Sequence, residues 1–419
     1  MQQRGDQTQA GFAGWSVVAA AFLVLFVVYG LQFSFGTFVD AVSEDTGWSE
    51  GRIQLIFAFY VFGYSALSAV SGHLTDRLGP TRVVGIGAVI LSAGYLLWAG
   101  ASSLWMVLLG LGIVAPIGMS ASWVPCNATV VRWFVQRRGL ALALTTAGGS
   151  LANILVPPLA AVMIETWGWR TALRTMTIIG GVVMVGAATR MLRDPESIGQ
   201  HPDGIASTVP ASQEFGMAPG EAMRTRVYWQ ILIMYALSFT VVFVPFVHIS
   251  RFAVDLGVGS VTAATVISAI GVGGLLGRLI AGPASDSFGR RPVAVTAFAF
   301  ETLSFLLMAS APGLALLYPA AVGFGVAYGA TVTLLPALVG DHFGRAHAGS
   351  IVGRVFATAG AMAAVGPYVA QLLVEALDSF RLAFALSGAA NAAALLLALR
   401  LPIPAERLQP TSASETTAR

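Results

Sequence analysis

Arg278 lies deep inside an otherwise apolar stretch, Val261–Gly282, in a chain with few charges. A guanidinium does not lose its proton in a protein, and placing one near a bilayer centre costs roughly 2.5–3.5 kcal/mol on insertion scales. A membrane helix that carries such a group is expected to face a water-filled cavity and a partner. No acidic residue stands within two helical turns of Arg278 on its own stretch. The expected partner is therefore a transported anion. Tyr328, in Gly323-Phe-Gly-Val-Ala-Tyr-Gly-Ala-Thr, falls at a comparable depth in another apolar stretch. Its phenol can donate to a carboxylate oxygen that the guanidinium leaves free, and the glycines around it are expected to leave room beside the ring.

Other polar groups in apolar stretches are weaker candidates. Asn127 and Tyr29, with Gln32, Asn153, Tyr368 and Gln371, are expected to line a cavity or to bond between helices. His248, Arg251 and Asp255 are spaced to share one helix face. Arg251 and Asp255 can pair there, while His248 and Asp255 are candidates for proton coupling or an outer gate, the histidine titrating near neutral pH. Glu301, deep in its stretch, is expected to bond to a neighbouring helix. Asp76, Arg77, Asp286 and Arg290, with Arg291, read as a cytoplasmic gate built from acid–arginine pairs. Nothing in the sequence has metal-ligand spacing, and no Gly-x4-Gly-Lys phosphate loop occurs, so neither metal, nucleotide cofactor nor nucleic acid is expected. All 23 basic residues are arginine, which rules out Schiff-base chemistry. The single cysteine, Cys126, rules out an internal disulfide.

These residues need a scaffold, and composition supplies it. The 419 residues are 56% hydrophobic and only 10% charged, against about 25% charged in soluble domains. Hydropathy predicts an all-α polytopic membrane protein with twelve transmembrane helices, at 15–39, 52–74, 82–100, 104–131, 139–164, 171–192, 228–254, 262–284, 292–310, 313–339, 350–376 and 381–402. The first is too long for a signal-peptide core and is expected to be retained after the polar Met1–Ala10. The polar break at 193–227 reads as a cytoplasmic linker between two pseudo-symmetric six-helix halves, 1–192 and 228–402, followed by a cytoplasmic tail, 403–419. Arginines gather in alternate loops and acids in the others, which places the arginine-rich side and both termini in the cytoplasm; Arg52, Arg170 and Arg381 are the exceptions. The halves echo one another at an offset of 210: Gly72/Gly282, Asp76/Asp286, Gly139/Gly349 and Pro157/Pro367. A binding site is then expected near the midplane, between the halves.

Gly72-x3-Asp76-x2-Gly79 and Gly282-x3-Asp286-x2-Gly289, with flanking arginines, resemble the signature of the major facilitator superfamily. More specific strings resemble its monocarboxylate transporter and oxalate–formate antiporter branch. They are Trp133-Phe-Val-Gln-Arg-Arg-Gly139 running on to Ala147-Gly-Gly-Ser150 and Pro157-Pro158, Gly168-Trp-Arg170, Asp194-Pro-Glu-Ser-Ile-Gly199 with Pro202-Asp-Gly204, Arg224-Thr-Arg-Val-Tyr-Trp229, His248-x6-Asp255 and Gly277-Arg278. The resemblance implies that Arg278 binds a substrate carboxylate, with helices 3, 6, 9 and 12 peripheral. Two positions depart from the animal monocarboxylate transporters: Phe33 stands where they have a lysine, and Gly274 where they have an aspartate. Against oxalate exchangers, Ala359 stands at the second cationic position, so the cavity suits a monoanion.

The expected function is alternating-access secondary transport of small monocarboxylates such as lactate or pyruvate, as proton symport, in the inner (cytoplasmic) membrane, by a monomer and without a cofactor. The alternative is proton-independent organic anion exchange. An exporter of hydrophobic cations conflicts with a fixed positive charge, and an enzyme or non-transporting receptor lacks a catalytic constellation or an appended soluble domain.

Overall fold

Long apolar runs become long helices because no backbone polar group can go unbonded in hydrocarbon. This computed structural model describes residues 11–205, 216–363, 365–377 and 379–403. Met1–Ala10, Asp378, residues 206–215 of the linker and the tail beyond 403 lie outside the described residues. Twelve of the described helices are long and apolar enough to cross a membrane. They are α1 (Gly14–Val39), α2 (Glu50–Leu78), α3 (Pro80–Ala99), α4 (Leu104–Trp133), α5 (Arg138–Trp167), α6 (Trp169–Ala188), α7 (Arg226–Asp255), α8 (Thr265–Phe288), α9 (Arg290–Ser310), α10 (Leu314–Phe343), α11 (Ala348–Leu377) and α12 (Phe380–Leu399). The expected spans fall on these helices. Several helices run further at the arginine-rich end than hydropathy marks, because their last turns are polar and leave the apolar layer.

The repeat is visible in the turns. Gly79 joins α2 to α3 at φ 82°, ψ 156°, and its counterpart Gly289 joins α8 to α9 at φ 91°, ψ 156°. Only glycine adopts this conformation without strain, which lets one residue reverse the chain.

Helices α2, α4 and α5 of the first six meet α8, α10 and α11 of the last six, mainly as α2 on α11 and α5 on α8. The helices α3, α6, α9 and α12 pack within their own six and stand at the periphery, as expected. Hydrogen bonds and ion pairs that join the two sets, among the described residues, lie at the level of Arg278 or toward the arginine-rich ends. The protein is thus closed at the arginine-rich end.

Candidate carboxylate site

Arg278 is carried by a closely packed helix pair, α8 and α10. A Cβ at Gly277 would lie 2.0 Å from the Val326 carbonyl oxygen, one at Gly325 2.2 Å from that of Ile270, and one at Gly329 2.1 Å from that of Gly274. The glycines at four-residue spacing on both helices interlock backbone against backbone, as small residues do in membranes. This corrects the sequence expectation: the glycines flanking Tyr328 are filled by α8 and leave no room for a guest. Their effect is instead to set Tyr328 beside Arg278, whose Cζ lies 5.3 Å from the ring centroid. A cation over an aromatic face is worth about 0.5–2 kcal/mol.

Arg278 is only 7% exposed. Its Nη1 donates to Ser150 Oγ on α5 and, at 3.3 Å, to the Gly274 carbonyl one turn back. Its buried Nε has no hydrogen-bond partner. No carboxylate pairs with it among the described residues. It therefore bridges the two sets of helices through neutral oxygens and keeps donors unused, where a buried cation without a counter-charge is costly.

Around it opens a cleft of about 570 Å³, counting the space at its mouth. Arg278, Tyr328, Tyr29, Asn153, Ser150, Phe33 and Gly274 all line it, with Leu25, Trp123, Phe243, Phe246 and Val332 among the apolar walls. Phe33 and Gly274, the two departures from the animal transporters, thus face the same space as Arg278. Tyr29 stacks on Phe33 with centroids 5.5 Å apart, and neither its hydroxyl nor that of Tyr328 has a hydrogen-bond partner among the described residues. Gly149 opposite brings α5 against the Tyr29 ring. Ser150 was not singled out by sequence; the signal was its Ala-Gly-Gly-Ser string, which carried no charge to attract notice.

Other expected site residues lie elsewhere. Asn127 is fully buried, gives its amide to the Trp123 carbonyl at 2.8 Å and does not line the cleft. Gln32 lines an adjoining space with Tyr64 and Phe356, whereas Tyr368 and Gln371 line neither. His248 is buried between α7 and α11, its Nε2 3.1 Å from the Pro367 carbonyl and its Nδ1 without a partner. Arg251 and Asp255 are exposed and form no ion pair with one another, a correction that follows from their position at a solvated helix end. At the acid-rich end Asp45 accepts from Trp169 Nε1 at 3.0 Å and pairs with Arg170. The Trp169 bond and then Arg170 hold its carboxyl below the usual carboxylate range.

Glu301 is fully buried in α9 and accepts from Ser238 Oγ of α7 at 3.2 Å, with no cation beside it among the described residues. Glu301→Gln keeps an acceptor for that hydroxyl, so its unfolding free energy is expected to fall by no more than about 1 kcal/mol. Denaturation of the purified variant checks this, and a loss above about 3 kcal/mol would show that the carboxyl itself is needed.

The closed end is built crosswise. Asp76 at the end of α2 accepts from the backbone N–H of Gly349 at 3.2 Å and Ser350 at 2.7 Å, at the start of α11. Its counterpart Asp286 at the end of α8 accepts from Gly139 at 2.8 Å and Leu140 at 2.9 Å, at the start of α5. Each carboxylate sits on the positive end of a helix from the opposite set. Arg132 and Arg290 steady the carboxylates from their own side, both at 2.5 Å. The expected acid–arginine gate is corrected accordingly: Arg77 is exposed and pairs with nothing among the described residues, while Arg291 donates to the Leu399 carbonyl. A direct charge pair between the sets is Arg138 with Asp341, which also accepts from Arg290 at 3.0 Å. Below the cleft Trp123 of α4 stacks on Phe356 of α11, centroids 4.4 Å apart.

The linker is pinned to this end. Arg193 donates to the Asp76 carbonyl at 2.8 Å, Glu196 pairs with Arg345 at 2.5 Å, and Asp203 accepts from the N–H groups of Val135, Gln136 and Arg137.

Residues 21–283 and 245–418 match the family described as Major Facilitator Superfamily. Human monocarboxylate transporter 11 is 29% identical over 408 residues, covering 93% of this chain and 83% of that protein. Among solved structures, the fucose:proton symporter of E. coli superposes with a TM-score of 0.70 at 14% identity, over 91% of this chain and 98% of its own. The human organic anion transporter MFSD10 does so at 0.69 and 16%, over 92% and 99%.

Proposed function

Because the chain belongs to the Major Facilitator Superfamily, in its monocarboxylate transporter branch, we propose that this multi-pass membrane transporter carries small monocarboxylates, with Arg278 as the carboxylate anchor. One observation carries the reading: a nearly buried guanidinium faces the cleft with no acid beside it and with donors unused. A monocarboxylate brings one negative charge and accepts from the guanidinium fork, while the free hydroxyls of Tyr328 and Tyr29 meet its remaining lone pairs. Binding neutralises the site, so the loaded cleft is less costly to close and dehydrate than the empty one. That difference in free energy is what lets a substrate shift the equilibrium between two access states.

Positive-inside orientation puts both termini and the closed, arginine-rich end in the cytoplasm of a cell whose inner membrane holds the carrier, so the site faces outward. The two six-helix halves, 1–192 and 228–402, then rock about the cleft as a monomer, with 193–227 as the cytoplasmic connection. Asp76, Asp286 and Arg290, with Arg132, form the gate that must part; Arg77 stands beside it as a solvated charge.

Proton symport is the coupling we propose, with His248 and Asp255 as candidate groups outside the cleft; the partnerless Nδ1 of His248 supports its inclusion. Uptake of a radiolabelled acid into proteoliposomes is expected to rise at least about threefold under an inward proton gradient of one pH unit, within the roughly tenfold accumulation that one unit allows when one proton moves per acid. Indifference to the gradient, together with dependence on an internal counter-anion, would leave proton-independent anion exchange. One feature favours that second reading: the residues lining the cleft include no carboxylate or imidazole that a proton could load.

A further inference from the structure

The cleft carries its one charge, among the described residues that line it, at one pole. Arg278, the two tyrosine hydroxyls, Asn153 and Ser150 gather there, and Ser150 Oγ is already engaged by Arg278. Away from that pole the walls are mainly aromatic and aliphatic. An adjoining space of about 490 Å³, counting the open space at its mouth, shares Phe33, Trp123 and Phe243 with the cleft and adds Phe239 and Phe356, with Gln32, Tyr64 and Ser65 as its polar members. The Trp123–Phe356 stack forms its wall toward the closed end. An acid of a few heavy atoms fills the polar pole and leaves this aromatic chamber to water.

We propose that the cleft selects monocarboxylates whose skeleton ends in an apolar, preferentially aromatic, group, over short acids such as lactate and pyruvate and over amino acids. The inference rests on the reading of Arg278 as carboxylate anchor and chooses within it. Rings entering the chamber meet the faces and edges of Phe33, Phe243 and Trp123, where aromatic pairs gain beyond area burial. Amino acids are disfavoured on a separate ground: their ammonium group finds no carboxylate among the lining residues, and at Gly274 the backbone offers no side chain to supply one.

The test is binding to the purified full-length chain, by calorimetry in detergent, of acetate against phenylacetate and of pyruvate against phenylpyruvate, with phenylalanine and uncharged phenylacetamide as controls. Adding the phenyl group is expected to lower Kd by about 10- to 100-fold, the effect of burying one such side chain. Phenylalanine is expected to bind at least about tenfold more weakly than phenylpyruvate, consistent with one unpaired polar group. In Phe243→Ala, and in the milder Phe243→Leu, the phenylpyruvate-to-pyruvate preference should shrink toward unity. Equal affinity for pyruvate and phenylpyruvate, both lost in Arg278→Gln, would overturn the aromatic selectivity and leave the carboxylate anchor standing. Phenylacetamide binding as tightly as phenylacetate, or acids binding undiminished to Arg278→Gln, would overturn the anchor itself. Phenylalanine matching phenylpyruvate would remove the exclusion of amino acids, and no binding by any acid would sink both readings.

Discussion

Arg278→Gln is expected to weaken carboxylate binding by about 2–5 kcal/mol, roughly 30- to 5,000-fold, and to abolish measurable uptake. That is the usual cost of truncating one partner of a buried, hydrogen-bonded charge pair. Glutamine keeps a donor for Ser150 but no charge, so the substrate carboxylate would enter a low-dielectric cleft uncompensated. Arg278→Lys should fall between, because an ammonium restores charge without the planar fork. The stability of the empty protein should move the other way. Arg278 is 7% exposed with an unpartnered Nε, so removing its charge relieves a desolvation penalty. A binding isotherm and a thermal melt on the same preparation separate the two effects. Unaltered affinity in a variant that melts normally would contradict the role given to this residue.

Asp76→Asn is expected to open the closed end. The carboxylate serves two backbone N–H groups of α11 and the Arg132 guanidinium at once. An amide has one acceptor oxygen and presents an NH2 group to donors. Breaking a buried charged contact in this way costs about 3–5 kcal/mol, two to nearly four orders of magnitude in the closed–open equilibrium. Asp286→Asn should act alike, since Asp286 repeats the arrangement against α5. Thr333 is 1% exposed and bonds to Thr146 across the two sets of helices. A cysteine placed there, with Cys126 replaced by alanine, should react faster with a maleimide applied from the arginine-rich side in either variant. Unchanged labelling in both would mean that these carboxylates do not hold the end shut.

Twelve spans were legible because an apolar run of helical length has few alternative fates in a chain so poor in charge. The site's centre was legible for the opposite reason: a lone arginine in such a run is conspicuous. What the linear pattern lacked was direction across the interface. The offset of 210 identified Asp76 with Asp286 and Gly139 with Gly349 as equivalents, yet the contacts run between non-equivalents, Asp76 to Gly349 and Asp286 to Gly139. A two-fold relation makes each contact imply the other, but spacing alone names neither. Arg77 drew attention by adjacency to Asp76, whereas Arg132, distant in sequence, is the one that reaches it. The glycines around Tyr328 misled because a missing side chain reads equally as space for a guest or as space for another backbone. Asn127 shows a third limit: depth in a helix does not say which way a side chain turns.

The first stretch of the linker, 193–205, is fastened unequally to the two sets of helices, while beyond it the Met217 N–H donates to the Phe343 carbonyl of α10. Arg193 and Asp203 tie that first stretch to α2 and to the turn before α5, whereas Glu196 reaches Arg345, just before α11. When this end parts, the stretch 193–205 rides with α1–α6, and the Glu196–Arg345 tether must stretch or let go. Glu196 is 32% exposed at its side chain, so dissolved salt reaches that tether, while the nearly buried Asp76 and Arg132 are shielded from it. Ionic strength on that face therefore acts on the rate of opening through the tether, leaving the two carboxylate clasps untouched.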